Sequence, residues 1–130
     1  MSNNLKIVVV DDSDFTRQAT SKIISNSGHE VVAQFSSGEE CLRYLHEDGS
    51  ANLYIVDVVM PNMSGVELAK LITEKTLDGY IIMVSSLDTE NIIIESISNG
   101  AIDFLKKPFS EDELIQSITK VAQNIAVKEF

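Results

Sequence analysis

Five short runs of branched or aromatic apolar residues recur along the chain: "LKIVVV" at 5–10, "EVVAQF" at 30–35, "NLYIVD" at 52–57, "YIIMV" at 80–84 and "AIDFL" at 101–105. Each has the length and composition of a buried strand. The segments between them carry apolar residues at helical spacing, such as Phe15, Ala19 and Ile23 in the first and Leu114, Ile118, Val121 and Ile125 in the last. Strand and helix alternate through the whole sequence.

Boundary signals keep the same phase. Ser37 with Glu40, Ser64 with Glu67 and Ser110 with Glu113 each fit the capping box, in which a hydroxyl and a carboxylate satisfy amides left open at a helix start. Gly28, Gly49, Gly79 and Gly100 fall shortly before the next strand, where a helix end calls for a left-handed residue. Repeating strand–helix units joined by right-handed crossovers give a five-stranded parallel sheet with helices on both faces. Ligands of such sheets gather beyond the carboxyl ends of the strands, where the strand order reverses.

Composition narrows the classes. A chain of 130 residues, 44% hydrophobic, is ample for one core and short for two ordinary domains, so residues 1–130 are expected to form a single domain. No apolar run reaches membrane-spanning length, and the start "MSNNLK" leads into a short apolar run that soon meets Asp11 and Asp12, unlike a secretory signal. A cytoplasmic protein without membrane insertion is the expectation. Cys41 is the sole cysteine and reads as a small hydrophobe on a helix. A formal net charge of −10 disfavours direct nucleic-acid binding and points to protein partners or metal ions.

The chemistry collects at one sheet edge. The first strand ends in Asp11 and Asp12, the third in Asp57, the fourth in Ser85, and the fifth in Lys106 and Lys107 before Pro108. Singly, each has a bland reading: an aspartate capping the helix near Asp14, an aspartate opening the turn "MPNMSG", an ordinary turn serine, a solvated lysine held extended by its proline. Together, three carboxylates, a hydroxyl and an ammonium at neighbouring strand ends can share one small pocket. Crowded carboxylates repel unless a cation neutralises them, and oxygen ligands without histidine or cysteine favour Mg²⁺. His29 and His46 are isolated and read as turn and helix-surface residues. Mg²⁺ commonly shares its coordination sphere with phosphate, and a carboxylate beside it can act as nucleophile to give an acyl phosphate.

The strings "VVDDS", "IVDVVMPNMSG", "IIMVSS" and "FLKKPF", in this order, closely resemble two-component response-regulator receiver domains, and "VDDSDFTR" with Arg17 resembles the single-domain chemotaxis type. The resemblance spans nearly the whole chain. It implies a flavodoxin-like (βα)5 fold with strand order 2-1-3-4-5. It further implies that Asp57 accepts a phosphoryl group from a histidine kinase or phosphotransfer protein. Asp12, Asp57 and the backbone carbonyl of Val59 would ligate Mg²⁺, or Mn²⁺ in its place, and Asp11 would hold it through water. Lys107 would pair with a phosphoryl oxygen across a cis bond to Pro108, leaving Lys106 at the surface. Ser85 would bind the phosphoryl group and, with Phe104, form the switch read by a downstream protein such as a flagellar motor switch. No output domain is expected.

Some positions depart from the family's habit. Val59 and Leu87 are apolar where polar side chains are frequent, and Ser85 replaces the commoner threonine. In "ENIIIESISNG", Ile92 is expected at the surface as one of more isoleucines than a single stripe needs. Other readings compete. "DSDFT" at 12–16 fits the D-x-D-x-T motif of haloacid-dehalogenase-like phosphatases, with Asp12 as nucleophile and Asp14 as acid or base. That reading needs a late acidic pair at a strand end, which is missing, and leaves Asp57 unexplained. The chain could also be a phosphorelay intermediate, a receiver cut from a longer regulator, or a module that kept the fold and lost the chemistry.

Overall fold

The computed structural model describes residues 4–47, 49–76 and 78–128. The elements are β1 (Lys6–Val10), α1 (Asp14–Asn26), β2 (Glu30–Phe35), α2 (Gly38–Glu47), β3 (Leu53–Asp57), α3 (Gly65–Lys75), β4 (Tyr80–Ser85), α4 (Glu90–Ser98), β5 (Asp103–Lys106) and α5 (Glu111–Lys128). The strands form one parallel sheet in the order β2-β1-β3-β4-β5, as the family resemblance implied. Met1 to Asn3 of "MSNNLK" and the last two residues lie outside the described residues.

Strand side chains alternate between two cores. Ile7, Val9, Leu53, Ile55, Ile82 and Val84 meet Ile24 of α1 and Leu114, Ile118 and Val121 of α5. Val8, Val10, Tyr54, Val56, Ile81 and Met83 meet Cys41 of α2 and Leu68, Ala69 and Ile72 of α3, with Ile92 of α4 packed alongside. Because both faces are covered, the strands read as unbroken apolar runs, the pattern from which they were located.

Three helix starts carry the expected caps. The Ser37, Ser64 and Ser110 hydroxyls accept from the amides of Glu40, Glu67 and Glu113, and Glu113 returns the favour to the Ser110 amide at 3.1 Å. For α1 the cap is Ser13, which accepts from the Thr16 amide, so neither Asp11 nor Asp12 is spent on capping.

Three expectations need correction. Gly28, Gly49 and Gly100 are left-handed, but Gly79 is not. The cap after α3 is Thr76 in extended conformation, and a Cβ on Gly79 would lie 2.6 Å from the Thr76 hydroxyl oxygen and 3.1 Å from the Tyr54 ring. In α1, only Ile23 of the apolar series Phe15, Ala19, Ile23 packs against the core, half-buried, while Phe15 and Ala19 are exposed. Thr20, Ser21 and Ile24 are buried while Phe15 is 85% exposed, lining an open groove with Ala19, Ile23, Pro108 and Phe109. In α4, Ile92 packs against the core and Ile94 and Ile97 are the exposed isoleucines. The phase is set by Ser96, fully buried one turn after Ile92, with its hydroxyl donating to the Ile92 carbonyl at 2.8 Å.

Candidate functional site

The site begins where β1 runs out of sheet. The Asp11 amide still pairs with the Phe35 carbonyl at the end of β2, at 3.0 Å, and its side chain is buried. Asp11 Oδ1 accepts from the Ser13 amide at 2.9 Å and Oδ2 accepts from Lys107 Nζ at 2.9 Å. Asp12, next in the chain, is exposed. β1 and β3 are neighbours, so Asp57 at the end of β3 lies beside this pair, itself buried and accepting from the Val59 amide at 3.4 Å. One oxygen from each of Asp11, Asp12 and Asp57 falls within 4.8 Å of the others.

Lys107 follows β5, and its amide donates to the Ser85 carbonyl, which ties the end of β5 to the end of β4 at 2.8 Å. Its ammonium reaches Asp11 and lies 3.3 Å from Asp57 Oδ2, while the bond to Pro108 is cis. Lys106 points away, 64% exposed and 3.4 Å from Asp88. Ser85 is fully buried at the end of β4, its Oγ accepting from the Leu87 amide at 3.0 Å. That bond occupies a lone pair and leaves the hydroxyl proton free to donate. Phe104 is half-buried on β5, packed against the core on the α2–α4 side rather than among the acids. Val59 and Leu87 are about half exposed.

Burial sets the electrostatics. It pushes the Asp57 carboxyl up from an ordinary 3.8 to about 6; Lys107 opposes the rise and Asp11 adds to it. Burial acts to lower the Lys107 ammonium, but its bonds and charge pairing with Asp11 and Asp57 outweigh that and its pKa is raised, so it stays charged. Three carboxylates facing one ammonium leave an excess of two negative charges in a half-buried pocket. A divalent cation with hard oxygen preference matches both that excess and the donor set. Asp14, the second aspartate of the phosphatase motif, is 78% exposed and held by Arg17.

Gly65 and Arg17 stand in the quoted strings, but the sequence assigned neither of them a contact at the site. Gly65, first in α3, passes so close to the end of β3 that its amide bonds the Val58 carbonyl at 2.8 Å and a Cβ would meet Val58 Cα at 2.8 Å. Arg17 Nη1 donates to the Asp11 carbonyl at 2.7 Å. The Gly65 contact depends on where α3 meets the end of β3, and the Arg17 contact, six residues apart, depends on how the turn from β1 into α1 closes.

The fold and this cluster of groups define a class of signalling domain. The family model described as the response regulator receiver domain matches residues 7–119, and the chain belongs to that family. It is 31% identical over 119 residues to the chemotaxis protein CheY of Listeria monocytogenes, covering 92% of this chain and 99% of that one. It is 33% identical over 115 residues to the CheY of Bacillus subtilis, covering 88% and 95%. Among solved structures, the CheX–CheY–BeF3–Mg²⁺ complex of Borrelia burgdorferi matches with a TM-score of 0.84 at 26% identity, covering 90% of this chain and 88% of that one. The phosphatase reading falls with this membership. Among the described residues, no helix is long and apolar enough to cross a membrane.

Proposed function

We propose that the chain is a cytoplasmic response regulator whose Asp57 takes a phosphoryl group from a phosphohistidine of a histidine kinase or phosphotransfer protein. The carrying observation is that Lys107 Nζ stands between Asp11 Oδ2 at 2.9 Å and Asp57 Oδ2 at 3.3 Å, with the Asp12 carboxylate in the same cluster. An Asp57 oxygen attacks phosphorus, the bond from phosphorus to the imidazole nitrogen breaks, and the imidazole leaves with the electron pair. Asp12, Asp57 and the Val59 carbonyl would hold Mg²⁺, or Mn²⁺, directly and Asp11 through water; the ion would offset charge on the transferred oxygens. Lys107 would neutralise a further oxygen. The neighbouring CheX–CheY–BeF3–Mg²⁺ complex, which contains both a metal and beryllofluoride, supports this chemistry.

The output would be a shift in population. The free Ser85 hydroxyl proton is suited to bond the phosphoryl group, drawing the loop after β4 toward it, and Phe104 would turn inward in response. The chemotaxis relatives support a downstream protein target in chemotaxis, for which a flagellar motor switch is our proposal. Incubation with a small acyl-phosphate donor and Mg²⁺ tests the reading. Intact mass should increase by one phosphoryl group in the parent and stay unchanged in Asp57→Asn or after chelation. Phosphorylation that survives Asp57→Asn would overturn it.

A further inference from the structure

Arg17 stands in the second turn of α1 with its side chain only 13% exposed. Besides the bond from Nη1 to the Asp11 carbonyl, Nη2 pairs with the Asp14 carboxylate. The Asp11 carbonyl belongs to the same planar peptide unit as the Asp12 amide, so a donor that fixes the one fixes the plane through which the chain enters Asp12. Asp12 has little else to aim it: its carboxylate accepts no hydrogen bond from the described residues. Its neighbours are pinned. The Asp11 amide is bonded to Phe35, the Ser13 amide to Asp11 Oδ1, and the Ser13 carbonyl to the Arg17 amide at 2.9 Å.

We infer that Arg17 is a positioning residue for the divalent-cation site, a latch that aims Asp12 by holding the Asp11–Asp12 peptide. The inference rests on the metal reading above. A latch and a mere charge act in opposite directions. A guanidinium near three carboxylates repels a cation, so if Arg17 acted only through its charge, removing it would tighten Mg²⁺ binding. Pairing with Asp14 offsets that charge, and as a latch its removal frees the peptide and loosens binding. Lysine keeps the charge but lacks the planar fork that serves a carbonyl and a carboxylate together.

Calorimetric titration of Mg²⁺ into the full chain, without phosphodonor, compares the parent with Arg17→Ala and Arg17→Lys, each shown to be folded by thermal melting. Arg17→Ala should bind about tenfold more weakly, as when a group that orients a metal ligand is lost, and Arg17→Lys should fall between it and the parent. Equal or tighter binding by folded Arg17→Ala overturns the latch. Should Arg17→Ala fail to fold, Arg17→Lys decides, and parent-like affinity overturns the latch. A parent that binds no Mg²⁺ overturns the metal site itself and the latch with it.

Discussion

The carboxyl of Asp57 is held where its charge is least comfortable. It is buried, it faces Asp11, and its pKa is about 6 against an ordinary 3.8. The native state therefore binds this proton more tightly than the unfolded chain does. The corresponding stability is fully present below about pH 4 and is lost as pH rises through about 6. Near neutral pH the ionised, metal-free carboxylate costs up to about 3 kcal/mol, and Asp57→Asn should restore much of it because Lys107 keeps its bond to Asp11. Urea denaturation without Mg²⁺ should show the variant more stable than the parent near neutral pH, with the gap closing below about pH 4. A variant no more stable than the parent at neutral pH would mean that the pocket does not strain this carboxylate. Such strain is what the proposed cation would relieve.

Secondary structure was legible wherever the signal lay within a few residues. The strands showed because apolar runs flanked by polar turns need no partner to be recognised, and the serine caps of α2, α3 and α5 because hydroxyl and carboxylate stand three apart. Helix faces were less legible. α1 buries Thr20 and Ser21, and Ser21 satisfies itself by donating to the Arg17 carbonyl at 2.8 Å, so a hydropathy pattern selects a stripe of which only Ile23 reaches the core and Phe15 and Ala19 are exposed. α4 repeats the case, turning buried Ser96 inward and Ile94 outward. The strand-end acids and lysine could be read as one cluster because the carboxyl ends of all strands in a parallel sheet share one edge, and the order of the strands was implied by the family resemblance, whereas close approaches between elements could not be read. Gly65 is the sharpest example, since a Cβ there would collide with the backbone of Asp57 and Val58. Both sides of that contact are main chain, so Gly65→Ala must displace the end of β3 together with Asp57. A loss of about 1–3 kcal/mol in urea denaturation and weaker Mg²⁺ binding are expected. Parent-like stability would show that α3 can shift without cost.

At the scale of the whole molecule, strand order does the assembling. Lys107 and Asp11 are 96 residues apart in sequence and meet because β5 and β1 end at the same edge of one parallel sheet. That edge concentrates negative charge in a chain whose formal net charge is already −10, so cations have two routes to stabilise it: screening of the general repulsion, and occupation of the site. The routes differ in saturation and in dependence on Asp12, which is exposed and bonded to nothing else among the described residues. Mg²⁺ at a hundredfold excess over its dissociation constant should add about 2.7 kcal/mol, on the order of 10 °C in melting temperature for a domain of this size. Sodium chloride at matched ionic strength should give a smaller, non-saturating rise. Asp12→Ala should melt close to the parent without metal, keep the sodium chloride response and lose the magnesium increment. If sodium and magnesium move the parent equally, or if Asp12→Ala keeps the magnesium increment, the acidic surface as a whole is the cation's target and the cluster at the strand ends has no special claim on it.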